Sequence, residues 1–191
     1  MKVRARMMTA LVLVGLVAAA AGCASKQVEA PGGQPAATSQ QEAAGTAPAV
    51  SAPYGAAAAA ADQDLTLQDM LTYALQDEYL ARSEYQVIVE RYGEIRPFPN
   101  IILAEENHIE HVKALFTARG LQPPPDESGS HTFVPASQAA AYQAGVDVET
   151  ANIALYERFL QQDLPEDVRQ TFQYLHDGSQ AHLQAFQRQL R

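Results

Sequence analysis

The chain has 191 residues, 47% of them hydrophobic and 18% charged, with a formal net charge of −9. An acidic chain presents no basic face for phosphate, which excludes nucleic acid as a partner. The single cysteine, Cys23, excludes an intramolecular disulfide and leaves no thiol for a core nucleophile.

Residues 1–22 have the pattern of an export signal. Lys2, Arg4 and Arg6 form a basic head, Met7 to Ala21 an apolar run, and Gly22-Cys23 follow at once. The run is short for a membrane span and ends in small residues. Loss of its three cations takes the mature chain from −9 to about −12, which favours solubility and mildly attracts cations. The sequence Ala20-Ala21-Gly22-Cys23 resembles the lipobox of bacterial lipoproteins, although Ala20 stands where leucine is usual. That resemblance implies a lipidated Cys23 and anchorage to a membrane of the cell envelope. Ala24 and Ser25 lack the aspartate of an inner-membrane retention signal, which, if the cell is Gram-negative, implies the outer membrane or periplasmic side. The other reading is ordinary cleavage near Ala21 and a soluble exported protein.

Residues 23–62 are rich in Ala, Gln, Pro, Gly, Ser and Thr, with almost no large apolar side chains. Such a stretch cannot bury enough surface to offset its ordering entropy and reads as a disordered tether. Within it, Ala56 to Ala61 has only transient helical potential.

Residues 63–191 form the folded domain, long enough for one core. Four helices follow from apolar periodicity. The first runs from about Thr66 to Tyr92, with Thr66 as N-cap, Asp69 three residues on, and Gly93 as terminator. The second runs from about Asn100 to Arg119, ended by Gly120 and forbidden to continue by Pro123 to Pro125. The third spans about Ser137 to Gln161. The fourth begins near Pro165, with Glu166 and Asp167 at its positive dipole end. Short turns join helices one to two and three to four, and a longer stretch, Leu121 to Ala136, joins two to three. Two hairpins with one long crossover predict an all-α, up-down four-helix bundle of the ferritin-like arrangement.

Each helix carries an ionisable residue in its apolar stripe: Glu78 on the first, Glu105 and His108 on the second, Glu149 on the third and His182 on the fourth. Burial of such groups is costly unless they are paired or bound to metal. Their convergence on one core predicts a metal site. Tyr85 and Tyr156 each lie seven residues, about two turns, beyond Glu78 and Glu149, on the same face. They are expected to orient the ligands, as is Asn152, one turn past Glu149. Glu105 and His108 form an E-x-x-H pair, and the matching point of the fourth helix is Ser179-x-x-His182, so the chain reads as a degenerate duplication of one hairpin.

Helices bearing E, E-x-x-H, E and E-x-x-H are the ligand set of the ferritin-like di-iron carboxylate proteins, which this chain resembles except at Ser179. More narrowly, Asp77 to Arg82, Phe98 to Ile101, Ala104 to His108, Gly145 to Glu149 and Gly178 to Phe186 resemble a bacterial and archaeal ferritin-like family of uncharacterised function. The resemblance covers about Leu65 to Leu190 and implies a four-helix ferritin-like fold. Carboxylate and imidazole ligands suit iron or manganese. An ordinary di-iron site would carry a second bridging glutamate at position 179, and the serine there leaves room for a solvent ligand. One or two ions then fit the set.

Two functions follow. One is a metal-dependent redox or iron-handling protein, an oxidoreductase of the di-metal carboxylate type, with dioxygen or peroxide admitted beside Ser179. The other is a metal-free, lipid-anchored binding module in which the glutamates are satisfied by His108, His182 and the tyrosines. A mononuclear zinc site fits less well, with no core cysteine to complete it. No phosphate-binding loop, dinucleotide fingerprint or nucleophile elbow is present.

Overall fold

The computed structural model describes residues 52–191; the export signal, Cys23 and most of the expected tether lie outside the described residues. Among the described residues there are five α-helices and two short 3-10 turns, with no strand. They are α1 (Ala56–Ala61), α2 (Leu67–Tyr92), α3 (Phe98–Ala118), α4 (Gln138–Leu160) and α5 (Glu166–Gln187), the turns falling at Ser128–Ser130 and Arg188–Leu190.

The helix ends obey local chemistry. Thr66 and Asp69 form the reciprocal capping box: the Asp69 N–H donates to Thr66 Oγ1 at 3.2 Å and the Thr66 N–H to Asp69 Oδ2 at 3.0 Å. Gly93, at φ 80°, closes α2 in a conformation that a side chain would resist. Helix α3 begins two residues before the expected Asn100, because Pro99 is well suited to a first turn whose N–H groups have no intrahelical partner. Ser137 caps α4 by accepting from the Ala140 N–H at 3.1 Å.

Side-chain pairs fix how the long helices run. Glu78 meets Tyr156 while Tyr85 meets Glu149, so α2 and α4 are antiparallel. Glu105 meets His182 while Gly178 lies against His108, so α3 and α5 are antiparallel as well. With short turns closing α2–α3 and α4–α5, each long helix packs against two others, and neither α2–α5 nor α3–α4 forms a packed pair. Helices α3 and α4 therefore run the same way on a diagonal, and the chain between them must travel the length of the bundle.

The core is divided. One apolar cluster gathers Leu71, Leu75, Val112, Phe159, Phe172 and Leu175 among others. A second gathers Ala81, Ile88, Phe98, Ile101 and Phe186. Along every long helix the ionisable residues fall between the two, so a polar layer is enclosed by apolar packing above and below.

The tether ends earlier than the composition predicts. Residues 53–62 are ordered against the bundle, and Tyr54 and Ala59 are buried. The Ala56 N–H donates to Asp77 Oδ1 at 2.7 Å, the Gly55 N–H to Gln76 Oε1 at 3.3 Å, and Arg158 donates to the carbonyls of Ala59 and Asp62. Tyr54 stacks on His131 of the crossover at 4.4 Å between ring centroids. This segment is held by main-chain hydrogen bonds to side chains of α2 and α4, which its own composition does not reveal.

Candidate metal centre

All five expected ligands reach one buried layer. Glu78, Glu105 and Glu149 have no solvent exposure, His108 almost none, and the His182 side chain is 11% exposed. His108 Nδ1 lies 3.1 Å from Glu78 Oε2 and 3.0 Å from Glu105 Oε2. His182 Nδ1 lies 3.0 Å from Glu105 Oε1 and 3.4 Å from Glu149 Oε1. The layer thus contains two triads, Glu78–Glu105–His108 and Glu105–Glu149–His182, each with ligand atoms within 4.8 Å of one another. Glu105 is common to both and turns one oxygen to each. The two imidazoles lie 5.5 Å apart and nearly parallel, at 27°.

The tyrosines work across the bundle. Tyr85 donates its hydroxyl to Glu149 Oε1 at 2.7 Å, and Tyr156 donates to Glu78 Oε1. Each serves the glutamate of the other helix, because two turns along one antiparallel helix arrive beside the partner's carboxylate. Fixed from opposite apolar layers, these hydroxyls orient the two glutamates that Glu105 does not replace. Asn152 and Ser179 are fully buried in the same layer. Gly178 has a role that its position in the sequence conceals: a Cβ there would fall 2.7 Å from Cε1 and Nε2 of His108. The missing methyl lets the imidazole lie on the backbone of α5. Tyr174 meets His108 edge-on at 5.6 Å and is 49% exposed, so the imidazole lies one residue from solvent on that side.

The electrostatics are those of groups competing for few protons. Burial opposes charge on His108, but the adjoining Glu78 and Glu105 outweigh it and raise the imidazole to about 11. Burial likewise opposes charge on His182, and Glu105 and Glu149 raise it to about 9. Burial pushes Glu78 up to about 7 against the pull of His108. Glu105 is pressed upward by burial and by Glu149, yet the hydrogen bond to His108 and the close approach of His182 hold it below its ordinary value. Imidazolium protons therefore occupy the places between carboxylates that a cation would take.

Those protons do not satisfy the layer. Glu105 Oε1, Glu149 Oε2, His182 Nδ1, Ser179 Oγ and both amide atoms of Asn152 are buried without a hydrogen-bond partner, the 3.0 Å approach of His182 to Glu105 lacking hydrogen-bond geometry. Buried polar atoms are ordinarily satisfied, and several orphans in one layer mark a place for further ligands. Oxygen and imidazole donors in two overlapping triads fit divalent metal ions, so these buried Glu and His groups could hold metal.

Two further carboxylates, Asp77 and Glu84, are also buried on α2, outside the triads, and escape the periodic pattern because they flank the stripe. Asp77 holds the start of α1, and burial raises it to about 8. His111 and Glu110 are exposed, as their off-stripe positions predict.

No family model and no curated protein matches the chain. Among solved structures it is similar to a hypothetical protein from Methanococcus jannaschii DSM 2661, seen in a crystal structure. The two share 23% identity over 68% of this chain and 83% of that one, with a TM-score of 0.59. At that identity the likeness extends to the all-helical fold and no further.

Proposed function

We propose that the protein is a ferritin-like, cell-envelope metalloprotein that holds two iron or manganese ions between α2, α3, α4 and α5 and acts in redox or iron and oxygen handling. The observation that carries this reading is Glu105, whose two oxygens each enter a different Glu/His triad in a layer with unsatisfied buried atoms. The diagonal crossover between α3 and α4 supports the ferritin-like arrangement. The lipobox-like sequence Ala20-Ala21-Gly22-Cys23 supports the membrane attachment.

When bound, the ions would supply one-electron chemistry toward dioxygen or peroxide. The chain's own contributions are more specific. Glu105 spans the two sites, Glu78 and Glu149 each serve one, and His108 and His182 present Nδ1 to the interior. Tyr156 holds Glu78 at the oxygen turned away from His108, whereas Tyr85 holds Glu149 at Oε1, the oxygen nearest His182. The two apolar clusters keep bulk water out of the layer.

The test is anaerobic loading of the purified protein with ferrous or manganous ions, then elemental analysis and absorption and magnetic-resonance spectra on exposure to air. Two ions per chain and a spectral change with oxygen are expected; a protein that takes up no transition metal sinks the reading. Fatty-acid labelling that is lost in Cys23→Ser checks the anchor. A second reading has its own observation: the imidazoles lie within ion-pairing distance of all three glutamates, as in a metal-free binding module. Under that reading Glu78→Ala with His182→Ala alters stability and leaves function intact.

A further inference from the structure

The two halves of the polar layer are not equivalent. Helices α4 and α5 are antiparallel, with Glu149 beside His182, Gly145 against Phe186 and Phe159 against Phe172. Three residues on from Glu149 is Asn152, and three residues before His182 is Ser179, so these two stand at one level across the helix pair. In the α2–α3 half the corresponding positions are Ala81 and Glu105. An apolar residue and a carboxylate in one half are matched by an amide and a hydroxyl in the other. Both are fully buried, and neither the Asn152 amide nor the Ser179 hydroxyl has a partner.

Two facts give the missing partner a chemistry. The first is charge. Two divalent ions carry one positive charge more than the three carboxylates balance, and an uncompensated charge in a buried layer is costly. The second is shape. Serine has three fewer non-hydrogen atoms than the glutamate whose place it takes in the duplicated pattern, and its hydroxyl and the Asn152 amide are hydrogen-bond donors at that level.

Resting on the two-metal reading above, we propose that Asn152 and Ser179 form a binding site for a small monovalent anion of carboxylate type, the size of formate, which takes the place of the absent fourth carboxylate. The anion accepts hydrogen bonds from Asn152 Nδ2 and Ser179 Oγ, and its charge neutralises the loaded centre. Without metal the anion loses its two divalent counter-ions and is held far more weakly. Anion and metal therefore bind cooperatively, each strengthening the other by the same factor.

The test uses the intact protein, with cobaltous ion as the spectroscopic metal and formate or azide as the anion. Metal affinity is measured by competition with a chelator, with and without the anion, and the cobalt absorption bands are followed during anion titration. Formate is expected to tighten metal binding by about tenfold or more, the scale of hydrogen bonds to a charged group in a buried site. Ser179→Ala should lose most of that gain. Ser179→Glu, which tethers a carboxylate in the space, should bind metal tightly with no response to formate. Helicity by circular dichroism shows that each variant is folded, and the wild-type titration stands without any variant. Two ions per chain with affinity and spectrum indifferent to both anions overturn this inference alone, whereas a chain that holds one ion overturns the two-metal reading and this inference with it. Absence of metal binding overturns the two-metal reading and this inference together.

Discussion

Gly178 carries a test of the ligand assignment that does not remove a ligand. Its absent Cβ leaves room for His108, whose Cε1 and Nε2 would lie 2.7 Å from a methyl group there. Alanine is otherwise the better helix former, by roughly 0.5–1 kcal/mol over glycine. Gly178→Ala should therefore fold with stability close to wild type, while His108 is displaced from the triad with Glu78 and Glu105. Metal affinity should fall about 10–100-fold, the usual effect of disturbing a group that orients a ligand. Chelator competition measures it, and an unchanged affinity would show that His108 is not a ligand. The glutamates and histidines were legible in the sequence because a charged residue in an apolar stripe is anomalous on its face. Gly178 was not, because a helical glycine does not announce which neighbour needs the space. The tyrosines were half legible: their heptad spacing gave the face, and only the antiparallel register shows that each serves the opposite helix.

Helix α1 is an element that the composition hides. An alanine run has little to bury, and its attachment depends on Asp77, Gln76 and Arg158, all supplied by other helices. By contrast α2 to α5 were legible almost to the residue, since Thr66, Gly93, Ser137 and Pro165 mark their ends with specific backbone chemistry. Asp77 ties the two kinds of element together. It accepts from the Ala56 N–H, yet it is buried and raised to about 8 from an ordinary 3.8, burial being the largest cause and the Ala56 hydrogen bond opposing it. Between those two values the folded protein retains a proton that the unfolded chain releases, so the Asp77 contribution to stability declines as pH rises from about 4 to about 8. Asp77→Asn keeps an acceptor for α1 and removes the titration. Urea midpoints of wild type and Asp77→Asn should therefore diverge from pH 5 to pH 8, the variant gaining at the higher pH. Asp77→Ala should lose about 1–2 kcal/mol at pH 5 through the abandoned Ala56 N–H. Parallel pH profiles for wild type and Asp77→Asn would show that this carboxyl is not titrating in the folded protein.

For the whole molecule, a polar layer between two apolar clusters makes stability depend on what fills the layer. Without metal, protonated His108 and His182 perform that task, with folded-state values of about 11 and about 9 against an ordinary 6.5. Raised imidazole values mean that their contribution is complete below about pH 6.5 and is lost as pH climbs through 9 and then 11. Glu78, raised to about 7 from 4.5, adds to the decline, since its contribution weakens across that interval. The metal-free protein should consequently melt at progressively lower temperature from pH 6 to pH 9. A bound cation takes the place of the imidazole protons, so loading releases protons and tightens as they become easier to remove. A ligand that binds only the folded state raises the melting temperature by mass action. The increment in Tm between metal-loaded and metal-free protein should therefore widen from pH 6 to pH 9, with proton release visible in calorimetry in buffers of different ionisation enthalpy. An increment that stays constant or shrinks with pH would mean that the imidazoles keep their protons when metal binds, and the two triads would then be ion-pair clusters instead of ligand sets.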